Sequence, residues 1–328
     1  MKKEKILNNL KGPIFPVITP FKNNSSYSVD YGAARNYVDF LYDYGVRNFY
    51  IMTYNSRFSL LSWEEMKKLN KVVTEQIKSK PEECISIVAD PLTNPTSVSV
   101  EFAKHAEDCG ADILSMIFLE RYYNDDQVFN HFNSVAKNSD IGILIHEQKL
   151  PSKLGADCLY PLELIDRLAD IDNVVAIKED SKQPVFSEQV IDLVKDRVNV
   201  IISGLGKRQF VHFSRMGCHA YLVGVGSFAP HVSLNFYKAC KTGDMDTAWG
   251  IINEIERPFL SAGMKYGWHP ALKSAMEEEG IMKRTERPPL TQIPQADHED
   301  LCRVLKEIQS SRYYSEKYIG GSGGCTFA

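Results

Sequence analysis

The 328 residues carry 38 Lys plus Arg against 42 Asp plus Glu, a formal charge of −4, with 44% hydrophobic and 11% aromatic residues. That composition suits a packed globular core and excludes disordered or collagen-like chains. Without a block of like charges there is no electrostatic footprint for nucleic acid or an anionic membrane, and small uncharged or acidic partners stay open.

The N-terminus, MKKEKILNNLKGPIF, lacks the apolar stretch of a secretory signal, and nowhere do 18 apolar residues run together, so a soluble, cytoplasmic protein is expected. Short β-branched runs then alternate with helical segments. The predicted strands are 14–18, 47–52, 85–89, 112–117, 141–146, 173–178, 198–203 and 219–223. Helical segments fall between and after them near 30–44, 63–79, 94–108, 125–138, 161–169, 187–195, 207–216 and 229–241. Ser62 is placed to cap the second of these helices, and Asn94 the third, with Pro95 at its first position. Eight βα units in succession predict an α/β fold, a TIM (β/α)8 barrel over 1–241.

Beyond 241 the pattern is purely helical, near 244–260, 268–280 and 297–314, so 242–318 is read as a helical C-terminal region. Residues 319–328, with their GGSGG run, show no periodicity and are read as a disordered tail. The spacing of Tyr37, Phe40, Leu41 and Tyr44, and of Trp249, Ile252 and Ile255, marks packing faces rather than cofactor sites. Seven cysteines, at 84, 109, 158, 218, 240, 302 and 325, lie scattered without zinc-site spacing and are read as reduced thiols.

In a parallel barrel, reactive groups gather where the strands end and the βα loops converge. Residues 174–177 are apolar and lead into Lys178, which places an amine beside low-dielectric walls. Desolvation disfavours the ammonium, and a neutral amine can attack a carbonyl carbon to form an imine. A strand merely reaching solvent would also read Lys-Glu-Asp. His146, at the end of the fifth strand, has the side chain whose ordinary pKa lies nearest neutrality and is a candidate acid or base. His105 and His212 fall on helices, and His219 at a strand start, where packing or stability is expected. The turn Gly204-Leu205-Gly206 could cradle phosphate, but no Gly-x-Gly-x-x-Gly opens a helix there.

Several segments together resemble one family. Gly12-Pro13-Ile14-Phe15-Pro16-Val17-Ile18-Thr19-Pro20-Phe21 resembles its first strand, and Val175-Ala176-Ile177-Lys178-Glu179-Asp180 its Schiff-base strand. Ser203-Gly204-Leu205-Gly206 and the stretch from Met216-Gly217-Cys218-His219 to Pro230 are similar to its seventh and eighth units. Across about 12–300 the chain resembles the dihydrodipicolinate synthase and N-acetylneuraminate lyase family of class I aldolases and dehydratases. The resemblance implies that Lys178 forms an imine with a 2-oxo acid, pyruvate or a pyruvate-yielding sugar acid. It also implies that no metal or organic cofactor is required and that the protein is a homotetramer or homodimer.

Other positions depart from the family's pattern. Where it has Gly-Thr-Thr-Gly-Glu after the second strand, this chain has Thr53-Tyr54-Asn55-Ser56-Arg57, so Thr53, Asn55 and Ser56 are the candidates for holding a carboxylate. Counting back without a gap from His131-Phe132, Glu120 stands in place of the proton-relaying tyrosine. A loop three residues shorter would put Tyr122-Tyr123 there, and Tyr54 is a further phenol. The ungapped alignment is preferred, since a carboxylate near an imine can also move protons. After the fifth strand His146-Glu147 and then Lys153 replace a Tyr-Asn pair and an arginine, so Lys153, as a point charge, or His146 would contact the variable part of the substrate. Gly204 and Leu222 complete the expected substrate wall. These departures motivate the competing expectation, a family member that kept the barrel but serves as a binding or regulatory protein.

Overall fold

The computed structural model describes residues 2–51, 60–91, 94–118, 124–148, 159–203 and 206–315. Eight parallel strands close on themselves in sequence order. They are β1 (Gly12–Pro16), β2 (Asn48–Ile51), β3 (Ile85–Ala89), β4 (Ile113–Met116), β5 (Gly142–Gln148), β6 (Val174–Asp180), β7 (Asn199–Ile202) and β8 (Ala220–Leu222). The helices are α1 (Lys2–Asn9), α2 (Tyr31–Asp43), α3 (Trp63–Lys78), α4 (Thr96–Asp108), α5 (Asp125–Lys137), α6 (Leu162–Ala169), α7 (Pro184–Val194), α8 (Lys207–Phe213) and α9 (Pro230–Thr242). The chain ends in α10 (Met245–Ile251), α11 (Arg257–Gly263), α12 (Trp268–Glu278) and α13 (Gln295–Gln309). This is the expected TIM barrel with a C-terminal helical appendage.

Period-two alternation sorts the strand residues. Phe49, Ile51, Val88, Leu114, Ile143, Ile145, Val200 and Ile202 face the helices, within the large outer core. Ile14, Tyr50, Ile85, Ile87, Ile113, Leu144, Ile201 and Ala220 fill the barrel interior. Gly12, at φ +81°, begins β1 where a Cβ would stand 2.9 Å from the Tyr237 ring, so close approach and a left-handed backbone both require glycine.

Four features differ from the sequence expectations. First, residues 2–9 form a helix whose Ile6, with Leu10 just after it, joins the interior cluster, so α1 closes the bottom of the barrel. Asn199 Nδ2 ties it there by donating to the carbonyls of Leu7 at 3.1 Å and Leu10 at 2.9 Å. Second, Pro95 is the N-cap residue of α4, whose first helical residue is Thr96, and it has no side-chain cap bond; Ser62 caps α3 as expected, in a full capping box with Glu65.

Third, the helix expected over 244–260 is three segments, because residues 252–256 widen into a π-helical turn between α10 and α11. Pro258 explains it: a residue without an N–H cannot make the i→i−4 bond, so the ladder is re-registered just upstream. Fourth, β5 and β6 run beyond their expected ends at 146 and 178, to Gln148 and Asp180.

Of the two packing faces, Tyr37 and Leu41 are buried with Phe40 packed against the core, while Tyr44 is half-buried and in ring contact with Phe40 and His231. Ile252 and Ile255 are buried, but Trp249 is 42% exposed. The appendage is fastened to the barrel by polar anchors. Arg287 donates to the carbonyls of Tyr27 and Leu60 and pairs with Glu65, and Lys207 of α8 meets Glu256 of the π turn at 2.7 Å, both buried. Among the described residues, no helix is long and apolar enough to cross a membrane.

Candidate active site

The direction in which Lys178 points is decided by one irregularity in β6. Val174 pairs with Ile143 and Ala176 with Leu144, so β6 carries one extra residue, Val175, opposite β5. Val174 therefore faces the helices while Val175 and Ala176 both face the interior, and Ile177 faces outward again. A bulge of this kind re-aims every later side chain. Without it Lys178 would share the outward face of Val174; with it, Lys178 enters the mouth of the barrel, where it is 1% exposed.

Two groups meet it there. His146, its register partner on β5, brings Nε2 to 2.5 Å from Lys178 Nζ. Asp180, two residues along β6 and so on the same face, brings Oδ2 to 3.0 Å from Nζ and 3.4 Å from Nε2. The three atoms form a closed triangle, and all three residues are buried. Burial pulls the Lys178 pKa below its ordinary value, against the opposing pull of Asp180. Burial alone would raise the Asp180 carboxyl, but the Lys178 charge and the His146 hydrogen bond outweigh it and hold the group below the usual carboxylate range.

The outward residues brace the strand ends. Glu179 accepts from Ser181 N–H at 2.7 Å and from the Ser187 hydroxyl at 2.5 Å, and Lys182 turns the chain away at φ +60°. Glu147 accepts from Tyr160 N–H at 3.2 Å. Below the mouth, the Tyr50 hydroxyl and Ser115 Oγ are 2.5 Å apart inside the barrel. Beside it, Asp90 follows β3 and accepts from Ser99 Oγ at 2.6 Å; burial raises its pKa to about 7. Burial lowers His131, packed between Phe118 and Phe132, to about 4.

Of the expected site residues, Lys178 and His146 come into contact, and Leu222 ends β8 packed against the interior cluster. Thr53, Tyr54, Asn55, Ser56, Glu120, Lys153 and Gly204 lie outside the described residues, as do Arg57 and the Tyr122-Tyr123 alternative. Asp180 was missed by the sequence reading. Its signal was the period of two from Lys178, hidden because the predicted strand stopped at 178. His105 and His212 lie on helices, bonded to the Lys67 carbonyl and to Glu188 respectively, and the His219 ring accepts from Val200 N–H at the barrel's lower end. The described cysteines, at 84, 109, 218, 240 and 302, are free thiols.

A groove of about 770 Å³ opens at the opposite end of the barrel, lined by Lys2, Lys3, Lys137, Asp140, Asn173 and others. It contains none of the Lys178 cluster. The side chains at the mouth offer instead what imine chemistry needs: a desolvated amine with a proton acceptor and an anion in contact with its nitrogen.

Comparison with known proteins places the chain in a family. The sequence profile of the Dihydrodipicolinate synthetase family matches residues 9–308. A DapA-like lyase of Thermococcus onnurineus is 29% identical over 91% of this chain and 99% of its own length. A 4-hydroxy-tetrahydrodipicolinate synthase of Methanothrix thermoacetophila is 30% identical over 72% of this chain and 76% of its own. Among solved structures, dihydrodipicolinate synthase from Oceanobacillus iheyensis superposes with a TM-score of 0.80 at 20% identity, covering 93% of this chain and 98% of that one. An E. coli K12 prophage protein of the dihydrodipicolinic acid synthase family, solved in complex with pyruvate, gives 0.79 at 20% identity over 91% and 98%. The chain belongs to the dihydrodipicolinate synthetase family and is a lyase.

Proposed function

We propose that Lys178 forms an imine with the carbonyl carbon of a 2-oxo acid, pyruvate or a sugar acid that yields it, and that the protein then makes or breaks a C–C bond or eliminates water. The observation that carries this reading is the Lys178 amine, buried at the barrel mouth with His146 Nε2 and Asp180 Oδ2 both in contact with Nζ. A protonated imine is an electron sink: electrons of the bond next to the former carbonyl flow into it, so cleavage and dehydration share one intermediate. In this scheme Thr53, Asn55 and Ser56 hold the carboxylate and Lys153 meets the variable part of the substrate. Glu120 or a tyrosine, Tyr54 or the Tyr122-Tyr123 pair, moves protons at carbon, while Gly204 and Leu222 line the wall. The covalent imine makes a further cofactor unnecessary, and the working assembly is a cytoplasmic homotetramer or homodimer.

The test is turnover. A panel of 2-oxo-3-deoxy sugar acids is incubated with the protein and released pyruvate is read by a coupled dehydrogenase. Pyruvate release by the wild type and none by Lys178→Ala is the expected result. Substrate that binds equally to both proteins, with no release by either, would move the reading to a binding protein.

A further inference from the structure

Resting on the imine reading, we infer that His146 and Asp180 are the acid–base apparatus of imine formation at Lys178: His146 Nε2 ferries each proton, and Asp180 stays ionised to hold the positive charge as it moves between the two nitrogens. The geometry admits this division of labour. One nitrogen of His146 reaches Lys178 Nζ, and one oxygen of Asp180 reaches both nitrogens, at 3.0 and 3.4 Å, so no side chain has to rotate between steps. Asp180 Oδ1 has no hydrogen-bond partner among the described residues, so among them the hydrogen bonds of this carboxylate fall within the triangle.

The steps balance. Neutral His146 takes a proton from the Lys178 ammonium, and the amine attacks the carbonyl carbon of the 2-oxo acid, forming the C–N bond while the C=O electron pair moves to oxygen. The imidazolium returns its proton to that alkoxide. His146 then removes a proton from the nitrogen of the adduct and delivers it to the hydroxyl, which departs as water while the nitrogen lone pair closes the C=N bond. The net change is ammonium plus ketone to protonated imine plus water, with His146 neutral again and Asp180 never protonated. A fixed anion beside a moving cation costs little reorganisation when both are buried, as these side chains are.

The other charges acting on Lys178 are Glu179 and Lys182, from its own strand and the turn after it. From β7 the facing residue is the apolar Ile201, and the interior-facing polar side chains lower in the barrel, Tyr50 and Ser115, are bonded to each other. Among the described residues, His146 is therefore the side chain in contact with Nζ that can serve as its base.

Pyruvate is the probe, and the rate of imine formation is read by borohydride quench and intact mass across pH. His146→Gln and Asp180→Asn are expected to slow formation by about 10²-fold or more while the adduct still maps to Lys178. Imidazole added to His146→Ala is expected to restore part of the rate in proportion to its concentration. His146→Asn serves if that variant fails to fold. Asp180→Asn is expected to move the acid limb of the rate profile down by about one pH unit or more, because removing an anion disfavours the cationic forms. An adduct that forms at the wild-type rate in both variants, or a loss that imidazole does not relieve with an unmoved pH profile, overturns the relay and leaves the imine reading standing. Failure of the wild type to form any adduct overturns both.

Discussion

Lys178 and Asp180 stand two residues apart on β6, and that spacing sets Asp180 Oδ2 3.0 Å from Lys178 Nζ at the barrel mouth. Beyond the bulge β6 alternates again, so residues one apart face opposite ways and Asp180, two residues on, shares the face of Lys178. Asp180 therefore has a thermodynamic signature. Its folded pKa lies below the unfolded value of about 3.9, so its contribution to stability is present above that pH and is lost as pH falls through the folded value. Urea titrations between pH 6 and pH 2 should show the wild type losing this increment and Asp180→Asn lacking it. At neutral pH the variant should be less stable by no more than about 3 to 5 kcal/mol, the cost of leaving one member of a buried pair alone.

His131 and Asp90 impose opposite slopes. With a folded pKa of about 4, against 6.5 in the unfolded chain, His131 excludes a proton that the unfolded chain takes up, so stability falls as pH drops through that window, by about 3 kcal/mol in all. Asp90, raised from 3.8 to about 7, keeps a proton that the unfolded chain releases, so stability falls as pH rises through its window, by up to about 4 kcal/mol. Between pH 4 and 6.5 the two nearly cancel. His131→Gln should leave only the alkaline decline, and Asp90→Asn only the acid one, in thermal melts across pH 4 to 8.

The Lys207 and Glu256 pair joins α8 to the π turn of the appendage, with the Lys207 ammonium also within 6 Å of the Tyr221 and Phe236 rings, at 5.9 and 5.7 Å. Lys207→Met alone should cost about 3 to 5 kcal/mol, because Glu256 is left buried and charged. Lys207→Met combined with Glu256→Leu should cost less than either single change, by chemical denaturation.

The capping box of α3 gives a smaller, local effect. Ser62 Oγ accepts from Glu65 N–H at 3.2 Å while Glu65 Oε2 accepts from Ser62 N–H at 3.1 Å. Ser62→Ala should lower stability by about 1 kcal/mol without changing pyruvate release. Glu65 also receives Arg287, so Glu65→Ala should cost more than Ser62→Ala.

Particular residues show what the sequence could and could not convey. Eight short apolar runs separated by helical periods are a one-dimensional signal, and the barrel follows from them. The bulge at Val175 is not, because residues 174–177 are all apolar and nothing in their order marks which one is extra. Lys178 was readable as the end of an apolar strand; that it faces inward is a consequence of that one inserted residue. Asp180 lies beyond the expected strand end, and its pairing with His146 depends on the register of two strands, the two residues being 34 apart in sequence. The α1 plug is not legible in the sequence because the charges of residues 2–5 mask the apolar Ile6, Leu7 and Leu10 behind them. The π turn depends on a proline that looks, locally, like a simple helix end.

The central claim is a covalent bond at one nitrogen, and borohydride trapping reads it directly. The protein is incubated with pyruvate and related 2-oxo acids, reduced, weighed intact and mapped by peptide. One adduct per chain, on Lys178, and none in Lys178→Ala is the expected result. A folded wild-type chain that gains no mass from any acid of the panel, or gains it on another lysine, would contradict it.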